Sequence, residues 1–333
     1  MNARDAFRKT VSGLAAERPV FLPIVYRLAA RIDQTPVMDM SADATAYANA
    51  LEGAYKLLHQ DAIVTSFDDT IEKELFGAEV DWPDEYGPAA VTGWSACDFT
   101  RVSPENSWRF SALLDAVQRL VQTRGRETAI VGVVTGPCSL GLELSEHARP
   151  EKEYGHDEIV AAAGTLLGKI VRAYGEAKVD ALIIREDPAG ARFFTELAAR
   201  EKIYRDAYAT LFNLLRFYNV AGLLMVKHAR TGDLPDTIEK LRPNGLILDS
   251  QELCGQDLTA LAEMSRKQKL AIGLPVPLTN PEAASARLQI CQGFLAANPT
   301  PGFFYVSDGE VPPDVPLELL NDISTRITSG AES

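Results

Sequence analysis

Eight short apolar runs, each followed by a stretch with helical spacing, restrict this chain more than any other feature. They lie at 20–26, 62–65, 129–134, 180–184, 223–226, 245–248, 270–273 and 303–306. Apolar runs of this length read as strands buried on both faces. Strands of that kind separated by helices belong to a parallel sheet, whose return crossovers need helices. Eight units in 333 residues predict α/β architecture as one domain, 1–333, folded as a single (β/α)8 barrel. The rival, a doubly wound open sheet, wants a Gly-rich phosphate loop after its first strand. Here Arg27 and Arg31 follow that strand instead. Gly136 to Gly141 has phosphate-loop spacing, but Leu142 stands where the lysine belongs.

Helix starts can be read between the runs. Ser41 is expected to cap an Ala-rich helix from Ala42 to His59. Pro104 and Pro281 each follow a capping residue, Ser103 and Asn280, at the first helical position. Residues 77–108 carry Gly, Pro and Trp without helical period. They are expected to leave the barrel as a long excursion with room for a hairpin, and long excursions of this kind often serve as lids.

Composition narrows the function. Lys and Arg number 33 against 46 Asp and Glu, a formal charge of −13. That argues against nonspecific nucleic-acid binding, which needs a basic footprint. No run of about 18 apolar residues exists, so neither a membrane span nor a signal peptide is expected. A cytoplasmic protein is the expectation. Cys97, Cys138, Cys254 and Cys291 show no CxxC spacing and are expected to be reduced thiols.

In a barrel the C-terminal strand ends share one mouth. The residues that close the runs are Arg27 and Arg31, Asp68, Thr135, Glu186 and Asp187, His228 and Arg230, Asp249, and Asp308. Arginines of this set suit an anionic substrate, and Asp68, Glu186, His228 and Asp308 suit proton transfer. Each also has a plain structural reading. Arginines at i, i+4 commonly pair with nearby acids, Asp68 can cap a helix, and a lone histidine is more often structural. His59, His147 and His156 read as surface or capping residues. A metal at His228, with Cys254, Asp249 or Glu186 beside it, lacks any compact ligand spacing.

These residues resemble the uroporphyrinogen decarboxylase superfamily, which includes methyltransferases that move methyl groups between corrinoids and thiols or other acceptors. The resemblance is carried by Arg18-Pro19-Val20-Phe21-Leu22-Pro23, Asp61-Ala62-Ile63-Val64 and Gly132-Val133-Val134-Thr135-Gly136-Pro137. Val179-Asp180-Ala181-Leu182-Ile183-Ile184 and the stretch from Ser307 to Pro316 complete it. It implies a (β/α)8 barrel. Arg27 and Arg31 match the arginine pair with which the decarboxylases hold propionates, and Asp68 matches the aspartate that pins their pyrrole N–H groups. Asp308 replaces the histidine of that branch, Asp187 its serine, and its tyrosine after the Gly-Pro segment is not found. The methyltransferase branch binds zinc through His-x-Cys and a later cysteine. His228 matches the first ligand, Arg230 replaces the second, and Gly309 or Glu310 stands near the third. The segment from Phe76 to Pro83, with Gly87-Pro88, is closer to the methyltransferases.

The resemblance implies a corrinoid-linked methyltransferase or demethylase acting on a small substrate, with the corrinoid brought by a partner protein and a metal ion as an open question. Its alternative is a uroporphyrinogen decarboxylase-like lyase acting on a tetrapyrrole without a cofactor. A third reading is a corrinoid- or tetrapyrrole-binding homologue without catalysis. A homodimer is compatible with all three.

Overall fold

A computed structural model describes residues 2–58, 60–249 and 255–329. Its centre is a ring of eight parallel strands: β1 (Phe21–Ile24), β2 (Ala62–Val64), β3 (Ala129–Thr135), β4 (Ala181–Arg185), β5 (Ala221–Met225), β6 (Gly245–Ile247), β7 (Ala271–Val276) and β8 (Phe303–Glu310). The ladders run in the order β1-β8-β7-β6-β5-β4-β3-β2. β2 lies against β1 without a ladder between them, so the (β/α)8 barrel is closed by packing at that seam. Each apolar run became a strand.

Alternation along the strands sorts the core in two. Leu22, Val64, Val131, Val133, Ile183, Leu223, Met225, Ile247, Phe304 and Val306 fill the barrel. Ala6, Phe7 and Val11 from the first helix, Ala3–Val11, join them and plug its N-terminal end. Ile63, Ile130, Leu182, Ile184, Leu224 and Leu246 face the surrounding helices. Burial near 25 cal/mol per Å² of apolar surface drives both layers.

Between β1 and β8 the register jumps. Leu22 lies opposite Val306 but Ile24 lies opposite Glu310, so β8 carries two extra residues there. Pro23 has no N–H for the ladder. The Ser307 hydroxyl fills the gap, accepting from the Ile24 N–H at 2.8 Å and donating to the Gly309 carbonyl at 2.7 Å. Gly309 takes the left-handed conformation, φ +76°, that this bulge requires.

Local chemistry explains most helix starts. Ser107 accepts from the Phe110 N–H and caps Trp108–Thr123, one short turn later than Pro104 suggests. Asn280 caps Pro281–Ala297 as expected. Ser41 does not cap. It lies inside the short helix Val37–Ala42, bonded to the Val37 carbonyl, and Asp43 accepts from Thr45 and Ala46 to start Ala44–Leu58. His59 lies outside the described residues. The excursion forms an antiparallel hairpin, Ala78–Asp81 with Ala90–Trp94. At its base Gly77 has φ +92°, and a β-carbon there would meet the Ser95 carbonyl oxygen at 2.6 Å. No helix among the described residues is long and apolar enough to cross a membrane. Cys97, Cys138 and Cys291 are free thiols; Cys254 lies outside the described residues.

Candidate functional site

Strand parity decides which end residues reach the mouth. On β4, Ala181 and Ile183 point into the barrel, so Arg185 does too, and Leu182 and Ile184 send Glu186 the other way. Glu186 is therefore not a mouth residue. It is fully buried at the start of the helix Pro137–His147. There it accepts from the Cys138 N–H at 3.1 Å, from the Ser139 N–H and hydroxyl at 2.7 Å each, and from the Tyr208 hydroxyl. A carboxylate suits a helix N-terminus, yet desolvation outweighs these donors and pushes its pKa up to about 7.

Arg185 takes the place expected for Glu186. Its Nε and Nη2 donate to Asp187 at 2.8 and 2.9 Å, and Nη1 donates to the Phe67 carbonyl at 3.0 Å. The guanidinium also lies 3.6 Å from the Phe67 ring centroid. Asp187 is thus neutralised from two positions along its own strand. Thr135 at the end of β3 is held by Glu72, which accepts from its N–H at 3.0 Å and its hydroxyl at 3.2 Å. Burial also pushes Glu72 up to about 7.

The two arginines after β1 behave differently from an anion clamp. Arg27 gives both its backbone N–H and its Nε to Glu310, at 2.7 and 2.8 Å. Burial raises the Glu310 pKa and the Arg27 charge opposes it. Arg31 is exposed on the helix Arg27–Asp33. Asp68 is likewise occupied. One oxygen takes the Thr70 N–H and hydroxyl, at 2.9 and 2.7 Å, and the other pairs with Arg109. Arg109 is 1 % exposed and also donates to Glu74 at 2.6 Å and to Thr70 at 3.0 Å.

Tyr26, Arg27, Phe67, Asp68, Asp69 and Glu310 wall a cavity of about 30 Å³, and Pro88 and Ala89 of the hairpin complete it. That is room for one or two waters. Larger hollows, about 290 and 510 Å³, lie at the other end of the barrel among residues such as Leu14 and Phe303, and Gln118 and Lys178. The strand-end side chains do not reach them.

His228 and Asp249 make a second group at the ends of β5 and β6. His228 adopts φ +55°, which few residues other than Gly, Asn, Asp and His tolerate. Its N–H donates to Asp249 Oδ2 at 3.2 Å, and Nδ1 stands 3.9 Å from the same oxygen. Asp249 is buried, and its Oδ1 has no hydrogen-bond partner among the described residues. The imidazole is half exposed, and Arg230 points to solvent. Asp308 is half-buried and continues the inward series of Phe304 and Val306. Among the described residues no three His, Cys, Asp or Glu side chains converge as metal ligands. His228 and Asp249 supply two of a possible set, so a thiolate–zinc centre does not fit what is described.

The mouth thus brings Arg27 and Asp68 together and leaves Glu186 and His228 outside their cavity. Sequence reading missed Arg109, Arg185, Glu72 and Glu310. Parity along β4 signals Arg185. The other three sit on a helix or past the bulge, where no local pattern marks them.

Comparison with known proteins fits this geometry. Residues 2–156 match the family model described as uroporphyrinogen decarboxylase (URO-D). The chain is 27% identical over 144 residues to the methylcobamide:CoM methyltransferase MtbA of Methanosarcina acetivorans, an alignment covering 42% of each chain and so less than half of that protein. A methyltransferase from Methanosarcina mazei has the same fold, with TM-score 0.75, 11% identity and 98% of each chain covered. A B12-independent methionine synthase from Shewanella sp. W3-18-1 is more distant, with TM-score 0.53, 14% identity, and 86% of this chain and 87% of that one covered. Over residues 2–156, just under half of its length, the chain is thus similar to the uroporphyrinogen decarboxylase family, and methyltransferases are among the proteins it resembles.

Proposed function

We propose that this protein is a corrinoid-linked methyltransferase, moving a methyl group between a corrinoid carried by a partner protein and a small acceptor at the barrel mouth. The observation that carries the reading is the pairing of the mouth arginines. Arg27, Arg109 and Arg185 each hold a carboxylate of the chain itself. A substrate bearing several carboxylates finds these three arginines already engaged, with Arg31 and Arg230 turned to solvent. The excursion adds to this, since residues 77–108 contain six acidic side chains and one basic one. Such a rim repels a polyanion and tolerates a neutral or cationic ligand. Both features weigh against porphyrinogen decarboxylation. The sequence kinship to a methylcobamide:CoM methyltransferase weighs for methyl transfer.

A corrinoid, when bound, supplies an electrophilic methyl group. The acceptor must then lose a proton as its lone pair forms the new bond. His228 is the side chain at the mouth equipped to take that proton, with its ring half exposed and its backbone held by Asp249. Asp249 lies within reach of Nδ1 after a small ring rotation, which would leave Nε2 as the basic atom. Arg185 and Arg27, each locked to a carboxylate, keep the mouth rigid and electrically balanced.

The test is anaerobic incubation with free methylcobalamin and a panel of small thiols, followed by the visible spectrum of the corrinoid. Demethylation that depends on both protein and thiol is expected. A parallel arm with uroporphyrinogen should release no CO2. Decarboxylation there, with an inert corrinoid, would reverse the assignment.

A further inference from the structure

The hairpin closes the cavity that contains Asp68, and the same arginine touches both. Arg109 pairs with Asp68 through one end of its guanidinium, and the Trp82 ring lies 4.7 Å from its centre. Trp82 follows the first hairpin strand, and Pro88 and Ala89 wall the cavity beside Arg27 and Asp68. At the hairpin tip the Val37 N–H also donates to the Glu85 carbonyl at 2.8 Å, and Tyr86 packs against the core.

We propose that the hairpin is a lid for the mouth and that Arg109 is the positioning residue that couples the lid to Asp68. Three observations carry it. The cavity as it stands has room for a water or two and no substrate, so a wall must move for a ligand to enter it. The other walls stand at barrel strand ends or, for Val37, on a neighbouring helix, while the hairpin is a separate two-stranded sheet whose strands pair with each other and not with the barrel. Finally, the contact between lid and body is imperfect: Trp82 Nε1 and Arg109 Nε are both buried without a hydrogen-bond partner among the described residues. An unsatisfied buried donor is destabilising. Lifting the lid lets water reach both donors, which offsets the stacking and apolar contact that are lost. The closed and open states therefore lie close in energy, as a gate requires. With the lid up, Arg109 is hydrated and its grip on Asp68 weakens. With the lid down, the guanidinium is dry and Asp68 is fixed.

This inference deepens the methyltransferase reading by assigning control of the same mouth, and its test does not use the reaction. Amide hydrogen exchange is followed in the wild type and in Trp82→Ala. Exchange across 78–94 is expected to quicken at least tenfold. The Thr70 N–H, which reports on Asp68 because it donates to it, is expected to quicken with it. Strands β4 to β7 should keep their protection, which shows that the variant is folded. A milder variant, Arg109→Lys, should also quicken both segments, since the amine cannot span Asp68 and Glu74 together. Faster hairpin exchange with Thr70 unchanged would overturn the coupling. No change in the hairpin would overturn the lid. Loss of protection across β4 to β7 as well would assign the contact to global stability and overturn both.

Discussion

Glu186 rests against the α-carbon of Gly136 so closely that a β-carbon at 136 would lie 1.9 Å from Oε1. The carboxylate cannot yield easily, because four donors from Cys138, Ser139 and Tyr208 hold it. Gly136→Ala should therefore destabilise the fold by about 3 kcal/mol through overpacking. Urea denaturation measures this. A midpoint equal to the wild type would mean that Glu186 swings aside freely.

The raised pKa of Glu186 has a sign that can be worked out. Its folded value of about 7 exceeds the ordinary 4.5. Between these values the native state holds a proton that the unfolded chain has released. The stabilisation is complete below about 4.5 and is lost as pH rises through about 7. Glu186→Gln removes the titration, so the fall in stability from pH 5 to pH 8 should shrink by roughly 2–3 kcal/mol relative to wild type. Denaturation at the two pH values checks it, and parallel wild-type and variant curves would contradict it. Glu72, also raised to about 7, should behave in the same way.

Arg27→Ala separates a strut from a substrate clamp. A clamp would cost binding and little stability. Here Glu310 would be left nearly buried without its cation. A loss of about 2 kcal/mol is expected, partial burial of Arg27 keeping it below the range for fully buried pairs. Glu310→Gln in the same chain should restore most of it, as a double-mutant cycle shows. Additive losses would refute the pairing as the cause.

His228→Asn tests the proton acceptor without disturbing the backbone. Asparagine tolerates the left-handed conformation at φ +55°. The melting temperature should stay within a degree or two, while the methyl-transfer rate falls on the order of 10²–10⁴-fold. An unchanged rate would remove His228 from the chemistry.

The barrel was legible because each buried strand needs its own apolar run, whatever else surrounds it. The facing of strand ends was legible too, had period-2 alternation been applied past the last apolar residue. Ile183 inward means Arg185 inward and Glu186 outward. Arg109 was not legible. It lies 41 positions from Asp68, and the two meet because a helix and a strand end pack together. Glu310 escaped for another reason. Simple alternation takes β8 into the mouth at Asp308, and the bulge carries a second carboxylate past it to Arg27.

The extra residues in β8 have a consequence for how this mouth changes over evolutionary time. They are what delivers Glu310 to Arg27, and Pro23 and Ser307 hold them in place. A relative that shortened the turn at Ser307–Gly309 would withdraw the carboxylate and leave Arg27 with an idle guanidinium. The same arginine would then be free to grasp an acid. One indel on the opposite strand can thus convert a tie-beam into a handhold and redirect ligand preference, with no substitution at the arginine itself.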